Sequence, residues 1–213
     1  MLKRIQTGGI TWLSPIPGSD GWSWGSDYTS GDLYEAEELY RGEHPIRQNR
    51  LIFVHFPDGR VAEPVKAREG QYFGQPCWDD GCLILLLADF PAGELRLLRY
   101  DPAGDQLTVL VTLPRSQVED CYNLMPHPSP LMLTRQTGGR FQVLWPERAD
   151  FPIPPQETFC FRDGDKLVFS RWYEDPDYRE EAVVRRFPDG AILEQMRGAL
   201  FTAQDGQEWL LTE

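Results

Sequence analysis

The chain has 213 residues, of which 33 are acidic and 21 basic, for a net charge of −12 with its three histidines neutral. That length allows one domain with a substantial core. So acidic a balance repels nucleic-acid phosphates and anionic lipid headgroups and excludes both as partners. The longest apolar run, residues 82–88, has the length of a buried strand and falls far short of a membrane helix. Lys3 and Arg4 are not followed by the apolar stretch and cleavage site of a signal peptide, and four cysteines (Cys77, Cys82, Cys121, Cys160) are too few for a disulfide framework. The expectation is a cytoplasmic protein with free thiols.

In chain order, residues 2–6 and 10–13 read as a hairpin around Thr7-Gly8-Gly9, and a Pro/Gly-rich turn over 15–21 leads to a strand at 22–28. Residues 33–40 carry two conflicting signals. Asp32 with Glu35 resembles a helix capping box, and the following residues favour helix, whereas the phase of the repeats described below calls for a strand. The reading adopted here follows phase, because agreement among several copies outweighs one local signal.

The repeat is carried by Phe56-Pro57-Asp58-Gly59 and Phe187-Pro188-Asp189-Gly190, each set between two β-rich runs, with weaker copies at Asp101-Pro102-Ala103-Gly104 and Pro146-Glu147-Arg148. A further hairpin precedes each interval, turning at Asp79-Asp80-Gly81, Pro128-Ser129-Pro130, Asp163-Gly164-Asp165 and Asp205-Gly206. A period of just over forty residues is that of a four-stranded propeller blade. The last copy has two strands, and the hairpin at 2–13 supplies the missing pair. The expected fold is all-β: a five-bladed β-propeller over residues 1–213, a single domain whose N- and C-terminal strands share the closing blade. A β-sandwich or barrel built from the same hairpins is the alternative.

No motif fixes a chemistry. Cys77 and Cys82 flank one turn without a second cysteine pair, and His44, His55 and His127 stand alone, so neither a metal site nor a cofactor is expected. His55, inside a strand, is assigned a structural role. Gly-x-Ser-x-Gly, P-loop and dinucleotide fingerprints are missing from the sequence. Two readings remain. The first is a non-enzymatic binding or scaffolding module that docks a polypeptide or small polar ligand on an aromatic, acidic loop face, with Trp22, Trp24, His44, Arg47, Tyr173 and Tyr178 as ligand-binding candidates. The second is a carboxylate-dependent hydrolase, acting for instance on glycosides. Asp27, Asp120 and Glu157 are its first catalytic candidates, because each lies near the entrance to an inner strand. Trp12, Trp145 and Trp209 are expected to fill gaps between sheets, and the loops at 41–49 and 174–181 exceed what a propeller needs.

Overall fold

The repeated Phe-Pro-Asp-Gly tetrapeptide folds the same way twice. Both copies carry a cis bond before proline and end on a glycine at positive φ, 73° for Gly59 and 72° for Gly190, which glycine adopts without steric cost. The glycine N–H bonds back to the strand end, Gly59 to the His55 carbonyl and Gly190 to the Arg186 carbonyl, each at 2.8 Å. The aspartate accepts from the backbone N–H two residues on, Asp58 from Arg60 at 3.0 Å and Asp189 from Ala191 at 3.2 Å. His55 Nδ1 also lies 2.8 Å from Asp58, and its ring packs on Trp22.

The computed structural model describes residues 2–212, which form five antiparallel sheets. The first runs β1 (Ser14–Pro15), β2 (Trp22–Ser26), β3 (Leu51–His55), β4 (Val61–Ala62). The second contains β5 (Gln71–Phe73), β6 (Cys77–Asp79), β7 (Cys82–Asp89), β8 (Glu94–Asp101) and β9 (Gln106–Pro114), in the order β5-β7-β8-β9 with β6 also paired to β7. The third runs β10 (Leu124–His127), β11 (Met132–Thr137), β12 (Arg140–Trp145), β13 (Ala149–Pro152). The fourth runs β14 (Glu157–Asp163), β15 (Lys166–Tyr173), β16 (Arg179–Arg186), β17 (Ile192–Arg197). A hairpin of β18 (Ala199–Thr202) and β19 (Glu208–Leu211) makes a two-stranded fifth. Four sheets are thus up-and-down meanders of the kind used as propeller blades. Contacts divide the chain into two compact units, the first ending at Pro126 and the second beginning at His127.

The core of the first unit joins Trp22, Trp24, Leu51 and Phe53 of the first sheet to Phe73, Leu83, Leu85, Leu87, Leu98 and Tyr100 of the second. All eight residues of β7 are buried, as a strand covered on both faces requires. In the second unit Phe141, Phe151, Phe159 and Phe169 pack edge-on or tilted against one another, with centroids 4.8 to 6.3 Å apart, the geometry that ring quadrupoles favour.

Three expectations are corrected. Residues 33–40 are not a strand: α1 (Leu33–Arg41) is a helix, capped by Asp32 Oδ1 accepting from the N–H groups of Tyr34 and Glu35 at 3.0 and 3.1 Å. Leu33, Ala36 and Glu37 share its buried face at the i, i+3, i+4 spacing. The fourth strand of the first sheet is instead Ser14–Pro15, on the far side of β2. The N-terminal hairpin is also not formed; residues 2–13 carry no ladder. Ile10 packs on Ile52 and Val54 with Ile5 beside it, and Arg50 donates to the Gly8 carbonyl at 2.9 Å. The tryptophans exchange roles as well. Trp22 and Trp24 are 3% and 7% exposed within the core, whereas Trp12 and Trp209, expected as fillers, are 57% and 50% exposed.

His127 stands edge-on to Phe159 at 4.8 Å, and burial lowers its pKa to about 4. The native state therefore takes up its proton later than the unfolded chain, whose imidazole titrates near 6.5, so stability is full above that value and falls as pH drops toward 4. Denaturant titrations should show a loss on the order of 3 kcal/mol across this window. His127→Gln should flatten the profile there, leaving the acid loss from Asp58 and Asp189 at lower pH, since the Arg60 N–H and then His55 hold the first carboxyl below its ordinary value and Arg186 and then the Ala191 N–H the second. Equal slopes between pH 6.5 and 4 in both proteins would refute the assignment.

Candidate functional site

In the second unit the ladder places an acid opposite a base. Glu157 opens β14 and lies across from Arg171 of β15, and Arg185 of β16 reaches the same carboxylate. Glu157 is fully buried. Arg171 Nε donates to Oε1 at 2.9 Å, with a second bond from its other nitrogen. Arg185 adds bonds to Oε2 and Oε1, both at 2.9 Å, and one to the Gly190 carbonyl at 2.7 Å. A buried carboxylate survives only when paired and hydrogen-bonded, and these bonds occupy both its oxygens.

From this anchor the network runs outward to the surface. Arg171 donates to the Tyr173 hydroxyl at 3.2 Å, and that hydroxyl donates to Glu181 at the same distance. The Arg179 guanidinium lies 4.2 Å above the Tyr173 ring and bonds the Asp175 carbonyl at 3.2 Å, a cation–π contact that fixes its direction. Arg179 is one wall of a groove of about 430 Å³, lined also by Tyr178, Glu180, Arg197, Gly198 and Leu211. Tyr178 is 67% and Leu211 51% exposed. The Tyr178 hydroxyl donates to Glu180 at 2.5 Å, which raises its pKa. Three sequence candidates thus belong to one construction, with Glu157 as its buried anchor, Tyr173 as the platform and Tyr178 at the groove itself.

The candidates of the first unit do not converge in this way. Asp27 is exposed and accepts from the Arg50 N–H at 2.7 Å. Asp120 accepts from the Tyr122 N–H at 2.9 Å. His44 and Arg47 are exposed on the connection that follows α1, and Trp22 and Trp24 lie in the core. None of these six lines the 140 Å³ cleft at the start of α1, which is formed by Gly31, Asp32, Leu33, Gln75 and residues 121–125. Beside it, buried Glu37 accepts from Arg41 at 2.8 Å, from Arg115 and from the Cys121 N–H at 2.9 Å. Burial, then the Glu37 charge, pushes the Cys121 thiol up to about 12, far from a reactive thiolate.

Sequence reasoning passed over Arg179, Arg197 and Glu37. Arg179 could have been found, because it adjoins Tyr178 in the long loop already singled out. Glu37 had no such signal, since its partner Arg115 is 78 residues away. Among the described residues no three His, Cys, Asp or Glu side chains come together as a metal site. No helix among them is long and apolar enough to cross a membrane.

No protein-family model matches the chain, and no curated protein is significantly similar to it. Among solved structures it is similar to TolB from Acinetobacter baumannii, at 13% identity and a TM-score of 0.44, over 80% of this chain and 45% of that one. The chain thus spans under half the length of that protein.

Replacing Glu157 by alanine leaves the buried Arg185 and the half-buried Arg171 without their counter-charge. Such a loss costs about 3–5 kcal/mol, so Glu157→Ala should lower the denaturation free energy by that order. Tyr173→Phe, which keeps the ring beneath Arg179, should cost only about 1 kcal/mol. A Glu157→Ala protein as stable as the parent would show that the carboxylate is not the anchor.

Proposed function

We propose that this protein is a non-enzymatic binding module that docks a polypeptide segment in the groove beside Tyr178. The observation that carries the reading is the contrast between occupied carboxylates and an open, preset groove. Asp27 and Asp120 are engaged by backbone N–H groups and Glu157 by two arginines, so none stands as an exposed acid–base pair. Arg179 and Tyr178, by contrast, face open space with their supports in place. An aromatic ring and an arginine over a partly apolar floor are the residue types that carry binding energy at interfaces.

The four meanders and the terminal hairpin support a further reading, that they are the blades of one five-bladed ring in which the two-stranded hairpin is the fifth. The support is the spacing of just over forty residues between the corresponding last turns of the four meanders. The chain should then unfold in a single calorimetric transition, and two resolved transitions would break the ring. The free thiols, three of them buried, favour a reducing, cytoplasmic setting.

Selection of a random peptide library on the full-length protein tests the binding reading. Enriched peptides should bind the parent and lose at least tenfold in affinity to Tyr178→Ala, about 1.4 kcal/mol or more. Binding unaffected by Tyr178→Ala would contradict it. So would turnover of a glycoside or ester abolished by Asp27→Asn, which would restore the hydrolase.

A further inference from the structure

The free edges of the five sheets are not equally protected. In the first sheet β1 and β4 have two residues each, and in the second β5 and β6 have three each. In the third, β10 and β13 have four each and contain Pro126 and Pro152. The fourth is edged by β14, with Glu157, Arg162 and Asp163, and by β17, with Glu194 and Arg197. Each strand of the terminal hairpin has four residues, and β19 contains Glu208. Shortness, proline and charge are the devices that stop an edge from pairing with another chain. β9 has nine residues, Gln106–Pro114, with no charged side chain and no proline before its last position. It is the last strand of its sheet, so its outer row of backbone groups has no ladder partner.

This edge is also apolar where it is most open. Leu107 and Val109 are 42% and 55% exposed. The register sets Leu107 across from Tyr100 and Val109 across from Leu98, both on one face, with Thr108 across from Arg99 on the other. Beyond Val109 the ladder shifts, because Leu98 pairs with Val109 and Leu97 with Val111. The extra residue, Leu110, is a bulge that breaks the alternation. The segment free to add a strand in regular register is therefore residues 106–109.

We propose that this segment pairs antiparallel with the same segment of a second copy, about a two-fold axis at Thr108. Leu107 of each copy then lies opposite Val109 of the other on one face, and the two Thr108 side chains meet on the other face. Both are favourable cross-strand pairs, and a two-fold interface requires such self-complementarity. Charge confines a contact between copies to this edge. Two chains of net charge −12 repel over most of their surfaces, and β9 offers a contact with no like charges opposed. A basic partner strand would find no carboxylate along β9 to receive it. Three paired residues in each chain, Leu107 to Val109, make a weak dimer, so association depends on concentration.

Sedimentation of the full chain across a micromolar to millimolar series tests this. The parent should shift from one chain to two, and hydrogen exchange at 106–109 should slow over the same range. Val109→Lys and Leu107→Lys should each remain monomeric with an unchanged melting profile, while Ile192→Lys on β17, where the parent residue is 47% exposed, should dimerise as the parent does. If a lysine variant does not fold, the concentration dependence of exchange in the parent decides. A parent monomeric at every concentration overturns the proposal, as does a dimer without added protection at 106–109. Protection there in a monomer would assign the edge to a segment of the same chain and likewise overturn it.

Discussion

Within each unit one side-chain amide stitches a sheet to its successor, Asn49 the first to the second and Gln136 the third to the fourth. Asn49, 1% exposed, accepts from the Phe73 N–H of β5 at 2.7 Å. Its amide nitrogen donates to Ser26 Oγ at 3.2 Å and to the Tyr28 carbonyl at 3.4 Å. Gln136 of β11 repeats the arrangement in the second unit, accepting from the Phe159 N–H of β14 at 2.8 Å and donating to the Glu157 carbonyl at 2.6 Å. The first strand of a sheet has a bare edge, and buried backbone groups must find partners. A carboxamide carries both a donor and an acceptor, so it can serve where no neighbouring strand arrives.

The buried acids extend the same logic to charge. Glu37 ties α1 to the chain around Cys121, and Glu157 ties β14 to β15 and β16. Breaking one such cluster is expensive, whereas the intact cluster contributes little net stability over an apolar substitute. Their effect is one of position. Glu157 holds Arg171, and through it Tyr173 and Arg179, in a single arrangement, so a ligand in the groove would meet side chains that need little ordering on binding.

Much of the β architecture was legible because it is local. Turns such as Phe56-Pro57-Asp58-Gly59 are specified by their own residues, and the alternation around them fixes the paired strands. The helix at Leu33–Arg41 was misread where a repeat-wide rule was set above a local signal. Asp32 and the apolar face of α1 act within four residues, and no copy elsewhere can override them. The tryptophans could not be sorted from sequence. Trp22 lies on the core face of β2 because of its register against His55 and the sheet it packs on, while Trp12 belongs to a segment with no ladder. Glu157 was legible as unusual in position but not as buried, because its partners lie 14 and 28 residues away.

Hydrogen exchange at the stitched amides measures the central claim directly, since a bond to a buried carboxamide should protect an amide as a ladder bond does. In the full-length protein under native conditions, the amides of Phe73 and Phe159 should exchange in the same slow class as that of Leu85 in the middle of β7. Exchange of Phe73 and Phe159 at the rate of an exposed turn amide such as Gly164 would contradict the account, because β5 and β14 would then not be held by Asn49 and Gln136.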